Sequence, residues 1–407
     1  MHDYEIDSLA YFVRLSYLYW KRTKRTCWMT NELERIFEKI VNHWIMEQDH
    51  NTKSKYTYPT LKPNGRGSRT CRTGMTWGGM RPSDDSMQYH YNIPANMFAS
   101  VALTYMLEMG NSLGWRSEWL QRAETLRDEI DAAVREHGIV KGSHYAYEVD
   151  GCGNSISIDD ANIPSLLSAK YLGFRVDENI MKETRSWILS KKNKWYKSGK
   201  VVSGIGSYHT HGKVWHLSLV MEALTDPSQT ERILQMVLAT SSTRTGLHES
   251  VDENSGRTTR NWFGWANALY SEWMIRESGA QQNIVLSSTT SQQKNHESIS
   301  SKEKISSVAA ELSVITVTSP RPSHPDITVI NQTLHAMYYH NPTWIKYPHY
   351  ILMDGCPQDK KFWEHEWCTG YSEFVIRLRR EIESRSYFRN VHIVEPPSWT
   401  TRLGLTG

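Results

Sequence analysis

The chain has 407 residues, with 47 basic against 44 acidic side chains and a net charge of +3. That near balance argues against a dedicated nucleic-acid binder, which carries a concentrated basic excess, and no apolar run approaches the ~18–20 residues of a membrane span. The 16 Trp and 21 Tyr against 8 Phe favour rings with a polar edge, which suit sugars and other half-polar ligands as well as loops and interfaces.

The N-terminus, Met1-His2-Asp3-Tyr4-Glu5, is neither basic nor followed by a clean apolar stretch. No signal peptide is expected, and a cytoplasmic location is the default reading. Apolar residues then recur at helical spacing over residues 6–20. The clearest stripe is Leu33, Ile36, Phe37, Ile40, Val41, Trp44 and Ile45, one face of a helix, with Thr30 or Asn31 as its N-cap. Similar stripes cover residues 96–107, 119–134, 180–189, 215–224, 233–238 and 262–274. Pro94 and Pro164 stand where a first helical turn tolerates a missing amide. The count is roughly nine or ten helices before residue 277, with little strand signal. The five cysteines, Cys27, Cys71, Cys152, Cys356 and Cys368, are widely spaced without a CxxC pair, which disfavours a disulfide scaffold and a zinc ribbon.

Beyond Gly279 the character changes. Residues 280–310 are rich in Ser, Thr, Gln and Lys and read as a flexible linker. A strand is expected over 312–318, a Pro-Arg-Pro-Ser-His-Pro loop at 320–325, a helix over 327–339, and a second strand over 350–353 ending at Asp354-Gly355. Strand, loop, helix, strand is the opening of an α/β nucleotide-binding unit. The remaining residues, 311–407, are too few for a complete doubly wound domain.

Polar residues concentrate in four loops of the helical part. The first, residues 74–85, reads Gly-Met-Thr-Trp-Gly-Gly-Met-Arg-Pro-Ser-Asp-Asp. The second runs from Tyr147-Glu148-Val149-Asp150-Gly151 to Asp159-Asp160-Ala161-Asn162. The third is Gly204-Ile205-Gly206-Ser207-Tyr208-His209-Thr210-His211. The fourth carries His248-Glu249-Ser250, followed by Thr259-Arg260-Asn261-Trp262-Phe263-Gly264-Trp265. Rigid helices that present such loops are a common way to build a site.

In that order and spacing, the four segments resemble the metal-independent α-mannosidases of glycoside hydrolase family 125, over residues 1 to about 277. The resemblance implies an all-α (α/α)6 toroid and exo-acting removal of terminal α-1,6-linked mannose with inversion. No cofactor or metal is implied. The partners implied are mannosides or mannose-rich glycans, with neither nucleic acid nor membrane. Inversion needs a general acid on the leaving oxygen and a general base holding water on the opposite ring face. The carry-over puts the acid at Asp84 or Asp85 and the base at Glu249. It adds Trp77, Arg81, Asp159, Asp160, Asn162, His209, Thr210, His248, Arg260 and Trp262 as substrate-binding residues.

Plainer readings stand beside these. An Asp-Asp pair before a helix is ordinarily a cap plus a solvated charge, and one of Asp159 and Asp160 is placed to cap the helix expected at Pro164. His209 and His211 at i, i+2 lack a third metal ligand, which favours sugar hydrogen bonding by His209. Arg260 is either an ion-pair residue or a hydroxyl ligand. Trp262 and Trp265, three apart, resemble a core stripe. A class I terpene synthase is excluded because its DDxxD motif needs Asp at the fifth position, where Ile163 and Gln88 stand. A catalytically impaired carbohydrate-binding protein on the same scaffold is the competing class.

A toroid of six helical hairpins needs about twelve helices, more than the pattern supplies. The expectation is a glycosidase domain over 1–279 lacking its N-terminal helices, in a chain that is a fragment. The segment 311–407 resembles the start of a family A glycosyltransferase. It contains no DxD metal site, so transferase activity is not expected.

Overall fold

The computed structural model describes residues 4–115, 118–242, 246–277, 314–318, 349–353, 366–385, 388 and 391–394. The chain divides into two units, Met1–Val285 and Leu286–Gly407.

The first unit is mainly helical. It begins with α1 (Ile6–Thr23), α2 (Asn31–Glu47) and the short α3 (His50–Lys53). The stripe read on α2 is its inner face: Leu33, Phe37, Ile40, Val41 and Trp44 are all buried. Thr30 is the N-cap by position, without a side-chain cap hydrogen bond. After strand β1 (Tyr91–Asn92) comes α4 (Ile93–Leu113). Asn92 caps α4 by accepting from the Ala95 N–H at 2.9 Å, Pro94 lies in its first turn, and Gly114 ends it at φ 69°. Apolar residues surround α4 almost completely, the pattern of a central helix; it packs between α1 and α5 (Glu118–His137). α6 (Ala169–Leu172) is a single turn, and α7 (Glu178–Ile188) is capped by Asp177. α8 (His216–Thr225), α9 (Thr230–Thr240) and α10 (Gly264–Glu277) complete the helices.

Three differences from the sequence reading bear on the site. Pro164 does not open a helix; residues 161–168 form turns, and helix resumes only at Ala169. The loops also carry strands of two or three residues, too short to leave a readable alternation. β2 (Ile139–Val140) pairs with β3 (His144–Tyr145), and β4 (Glu148–Val149) lies between β1 and β5 (Ser155–Ile156). β6 (Tyr196–Ser198) pairs with β7 (Ser203–Ile205), and β9 (Ser250–Val251) lies between β8 (Val214–Trp215) and β10 (Thr258–Thr259). Third, Cys71 and Cys152 form a disulfide, with Cα atoms 5.1 Å apart across a sequence separation of 81. Spacing along the chain cannot show such a pairing, because it depends on loops that meet only in the fold. Cys27 is free and exposed.

In the second unit, β11 (Val314–Thr318), β12 (His349–Met353) and β13 (Val391–Val394) form a parallel sheet in that order. The two expected strands are present. α11 (Glu366–Glu383) and β13 were not foreseen. The expected linker at 280–310, the 320–325 loop, the 327–339 helix and Asp354-Gly355 lie outside the described residues. No helix of the described residues is long and apolar enough to cross a membrane.

Candidate active site

The first polar loop is folded tightly by backbone bonds. The Asp84 N–H donates to the Arg81 carbonyl at 2.9 Å, and the Arg81 N–H to the Asp85 carbonyl at 2.8 Å. Asp84 takes the left-handed conformation (φ 62°) at the tip, which Asp and Asn tolerate better than most residues. Gly78 packs close to the start of α1 and to Met87: a Cβ there would lie 3.1 Å from both Ile6 Cδ1 and Met87 Cε.

Arg81 is buried and donates from Nε to Glu148, itself fully buried in β4. The other Glu148 oxygen accepts the Gln88 and Tyr89 amides at 3.1 Å each. The guanidinium also lies 5.8 Å from the centroid of the buried Tyr147 ring. Burial alone would favour deprotonation of Arg81, but the Glu148 carboxylate outweighs it. The pair locks the first loop to the second, and the Cys71–Cys152 disulfide ties the same two segments nearby.

Asp160 joins the second loop to the third. Its Oδ1 accepts from the Asn162 amide at 3.0 Å and from Asn162 Nδ2 at 2.7 Å. Its Oδ2 accepts from Ser207 Oγ at 2.9 Å and from the Tyr208 N–H at 3.4 Å. Burial nonetheless raises its pKa, outweighing these bonds. Asp159 is buried with its oxygens on the Leu166 and Leu167 amides at 2.8 and 3.0 Å, and burial pushes it up to about 8. It is therefore a cap of the segment after Pro164, with both oxygens committed to backbone.

The turn held by Asp160, Tyr208–Thr210, presents His209 to the first loop. His209 Nδ1 lies 3.6 Å from Asp85 Oδ2, and the same oxygen accepts from Ser83 Oγ at 2.8 Å. Partial burial would raise the Asp85 pKa, but His209 and Ser83 bring it below the ordinary carboxylate value. His209 is raised, first by Asp85 and then, against its own desolvation, by the further charges of Glu249 and Asp160. His209 thus lies in the field of both proposed carboxylate loops. Thr210 Oγ1 accepts from Trp215 Nε1 at 2.8 Å, and His211 is exposed.

Glu249 precedes β9. Its Oε1 is 3.4 Å from Arg260 Nη1, and its Oε2 accepts from Thr259 Oγ1 at 3.4 Å. Arg260, also left-handed (φ 47°), is mostly exposed, with its guanidinium 5.5 Å from the Phe263 ring centroid. His248 is buried behind them: its amide donates to His216 Nδ1 at 3.0 Å, and burial lowers His216 to about 4, keeping that imidazole neutral. Trp262 is partly exposed against Gly264.

Two acidic residues absent from the sequence reading face the tip of the first loop. Burial first, then the neighbouring Asp7 and Asp84 carboxyls, push Glu5 up to about 8, with a Glu5–Asp84 hydrogen bond contributing. Asp7 is buried and raised to about 7, mainly by desolvation.

Trp77 lies elsewhere. Its ring is fully buried, stacked on His50 at 3.6 Å and on His90 at 4.9 Å. Neither face is open to a sugar. Among the described residues, no group of three or more His, Cys, Asp or Glu is placed to hold a metal ion.

Comparison with known proteins gives the context of this arrangement. Residues 2–275 match the metal-independent alpha-mannosidase (GH125) family. A curated relative, the Meiotically up-regulated gene 157 protein of Schizosaccharomyces pombe, is 38% identical over 299 residues, covering 67% of this chain and 58% of its own length. The chain therefore spans little more than half of that relative. A solved structure of a Streptococcus pneumoniae metal-independent alpha-mannosidase, a non-productive substrate complex with alpha-1,6-mannobiose, superposes with a TM-score of 0.63 at 35% identity. It covers 68% of this chain and 69% of that one.

Proposed function

We propose that this chain, which belongs to the metal-independent alpha-mannosidase family, is an exo-acting glycoside hydrolase that removes terminal α-1,6-linked mannose from mannose-rich glycans with inversion. The observation that carries this reading is the convergence on His209 of the loop bearing Asp84 and Asp85 and the loop bearing Glu249. Support for the linkage comes from the mannobiose bound by the Streptococcus pneumoniae enzyme. We place the four loops at one end of an (α/α)6 toroid.

An inverting glycosidase needs one carboxyl carrying a proton and one ionised carboxylate, roughly 6.5–9.5 Å apart. Asp84 is the acid in this scheme. Its neighbours Glu5 and Asp7 complete a crowded set of carboxyls at the tip of the first loop. Asp85 is held ionised by His209 and Ser83, so it orients the histidine rather than donating a proton. Glu249 is the base: Arg260 and Thr259 aim its oxygens, and water placed against it attacks the anomeric carbon opposite the leaving oxygen. Asp160, Asn162, His209, Thr210, His248, Arg260 and Trp262 shape the sugar site. Trp77 and Asp159 support it from within the core.

Hydrolysis of α-1,6-mannobiose with and without EDTA tests the reading. The chain hydrolyses it equally in both, and Glu249→Gln loses roughly 10³-fold in kcat, the scale of a missing general base. Asp84→Asn is expected to be severely impaired and Asp85→Asn less so; the reverse order would overturn the choice of acid.

A further inference from the structure

We propose that Tyr208 and Trp195 form an aromatic platform for the sugar on the leaving-group side of the scissile bond, a mannosyl residue of an oligosaccharide. The proposal rests on the mannosidase reading above and names a further part of the same site. Tyr208 is 55% exposed. It is not loosely held: its N–H donates to Asp160, its carbonyl accepts from the His211 N–H at 3.1 Å, and the Gly212 N–H donates to the Ser207 carbonyl at 3.0 Å. The Trp195 ring stands perpendicular to it, centroids 5.6 Å apart at 86°. The Trp195 carbonyl accepts from the Gly206 N–H at 2.8 Å, so both rings are fixed to one loop. Lys194 Nζ lies 4.8 Å from the Trp195 centroid.

Position decides which sugar the platform takes. Tyr208 immediately precedes His209, and His209 pairs with Asp85 in the acid loop. The acid lies at the leaving oxygen by definition; with His209 of the same turn paired to the loop that bears it, we infer that the departing sugar is the one that meets the exposed Tyr208 ring. The apolar C–H face of a pyranose stacks on such a ring, while its hydroxyls stay in water.

The test compares α-1,6-mannobiose with α-mannosyl fluoride, whose leaving group has no ring, for wild type, Tyr208→Ala and Tyr208→Phe. Tyr208→Ala lowers kcat/KM on mannobiose roughly tenfold more than on the fluoride, mainly through KM, as expected for the loss of one stacking contact. Tyr208→Phe restores it. Equal losses on both substrates would mean that Tyr208 only supports the turn, and would overturn the platform. If wild type cleaves neither substrate, the mannosidase reading fails on its own. Saturation-transfer NMR with mannobiose then decides the platform: contact at the reducing-end sugar lost in Tyr208→Ala supports it, and an unchanged pattern refutes it.

Discussion

Asp85 Oδ2 lies 3.6 Å from His209 Nδ1, joining a loop seated on the first helix to a turn more than a hundred residues later. The histidine also feels Glu249. His209 therefore lies in the field of carboxylates from three of the loops.

The pair makes stability pH-dependent in a defined window. His209 is raised above its ordinary 6.5, so its contribution is complete below that value and is lost as pH rises through the raised pKa. Asp85 is lowered below its ordinary 3.8, so its contribution is complete above that value and is lost as pH falls through the lowered pKa. Denaturant unfolding of wild type and His209→Gln should differ more at pH 5 than at pH 9. Equal differences would remove the ion pair from the account.

Burial, then the Asp7 and Asp84 carboxyls, push Glu5 up to about 8. A carboxyl raised in the folded state contributes least to folding at high pH, where it must ionise in place. Glu5→Gln should therefore gain more unfolding free energy over wild type at pH 9 than at pH 4, read by denaturant unfolding. An equal difference at both would remove the buried proton from the account.

Glu148→Gln leaves the buried Arg81 without its counter-charge. Breaking such a pair costs about 3–5 kcal/mol, measured as a fall in unfolding free energy. A change under about 1 kcal/mol, the scale of an exposed pair, would show that the guanidinium reaches solvent.

Trp77→Ala should cost about 3–5 kcal/mol through the cavity between His50 and His90. Its effect on activity should follow the loss of folded protein rather than a rise in KM for mannobiose. A selective rise in KM with unaltered stability would return Trp77 to the sugar site.

Much of this was legible in the sequence because amphipathic helices carry their period in their residues. The stripe of Leu33, Phe37, Ile40 and Trp44 is the buried face of α2, and the four polar loops stand beside helices as read. The remainder depended on long-range contact. The family resemblance put Trp77 among the substrate-binding residues, but His50 and His90 cover its ring. Pro164 looked like a helix start, but Asp159 caps turns after it. The Cys71–Cys152 bridge, the two-residue strands, and the placing of Glu5 against Asp84 leave no periodic trace. The proposed preference for Asp84 over Asp85 rests on His209, whose proximity no spacing reveals.

The central claim is hydrolysis of an α-mannoside with inversion by Asp84 and Glu249. Proton NMR of α-1,6-mannobiose hydrolysis, followed from the first turnover, tests it most directly. The account predicts that β-mannose appears first and then mutarotates; initial release of α-mannose, or no release, would contradict it.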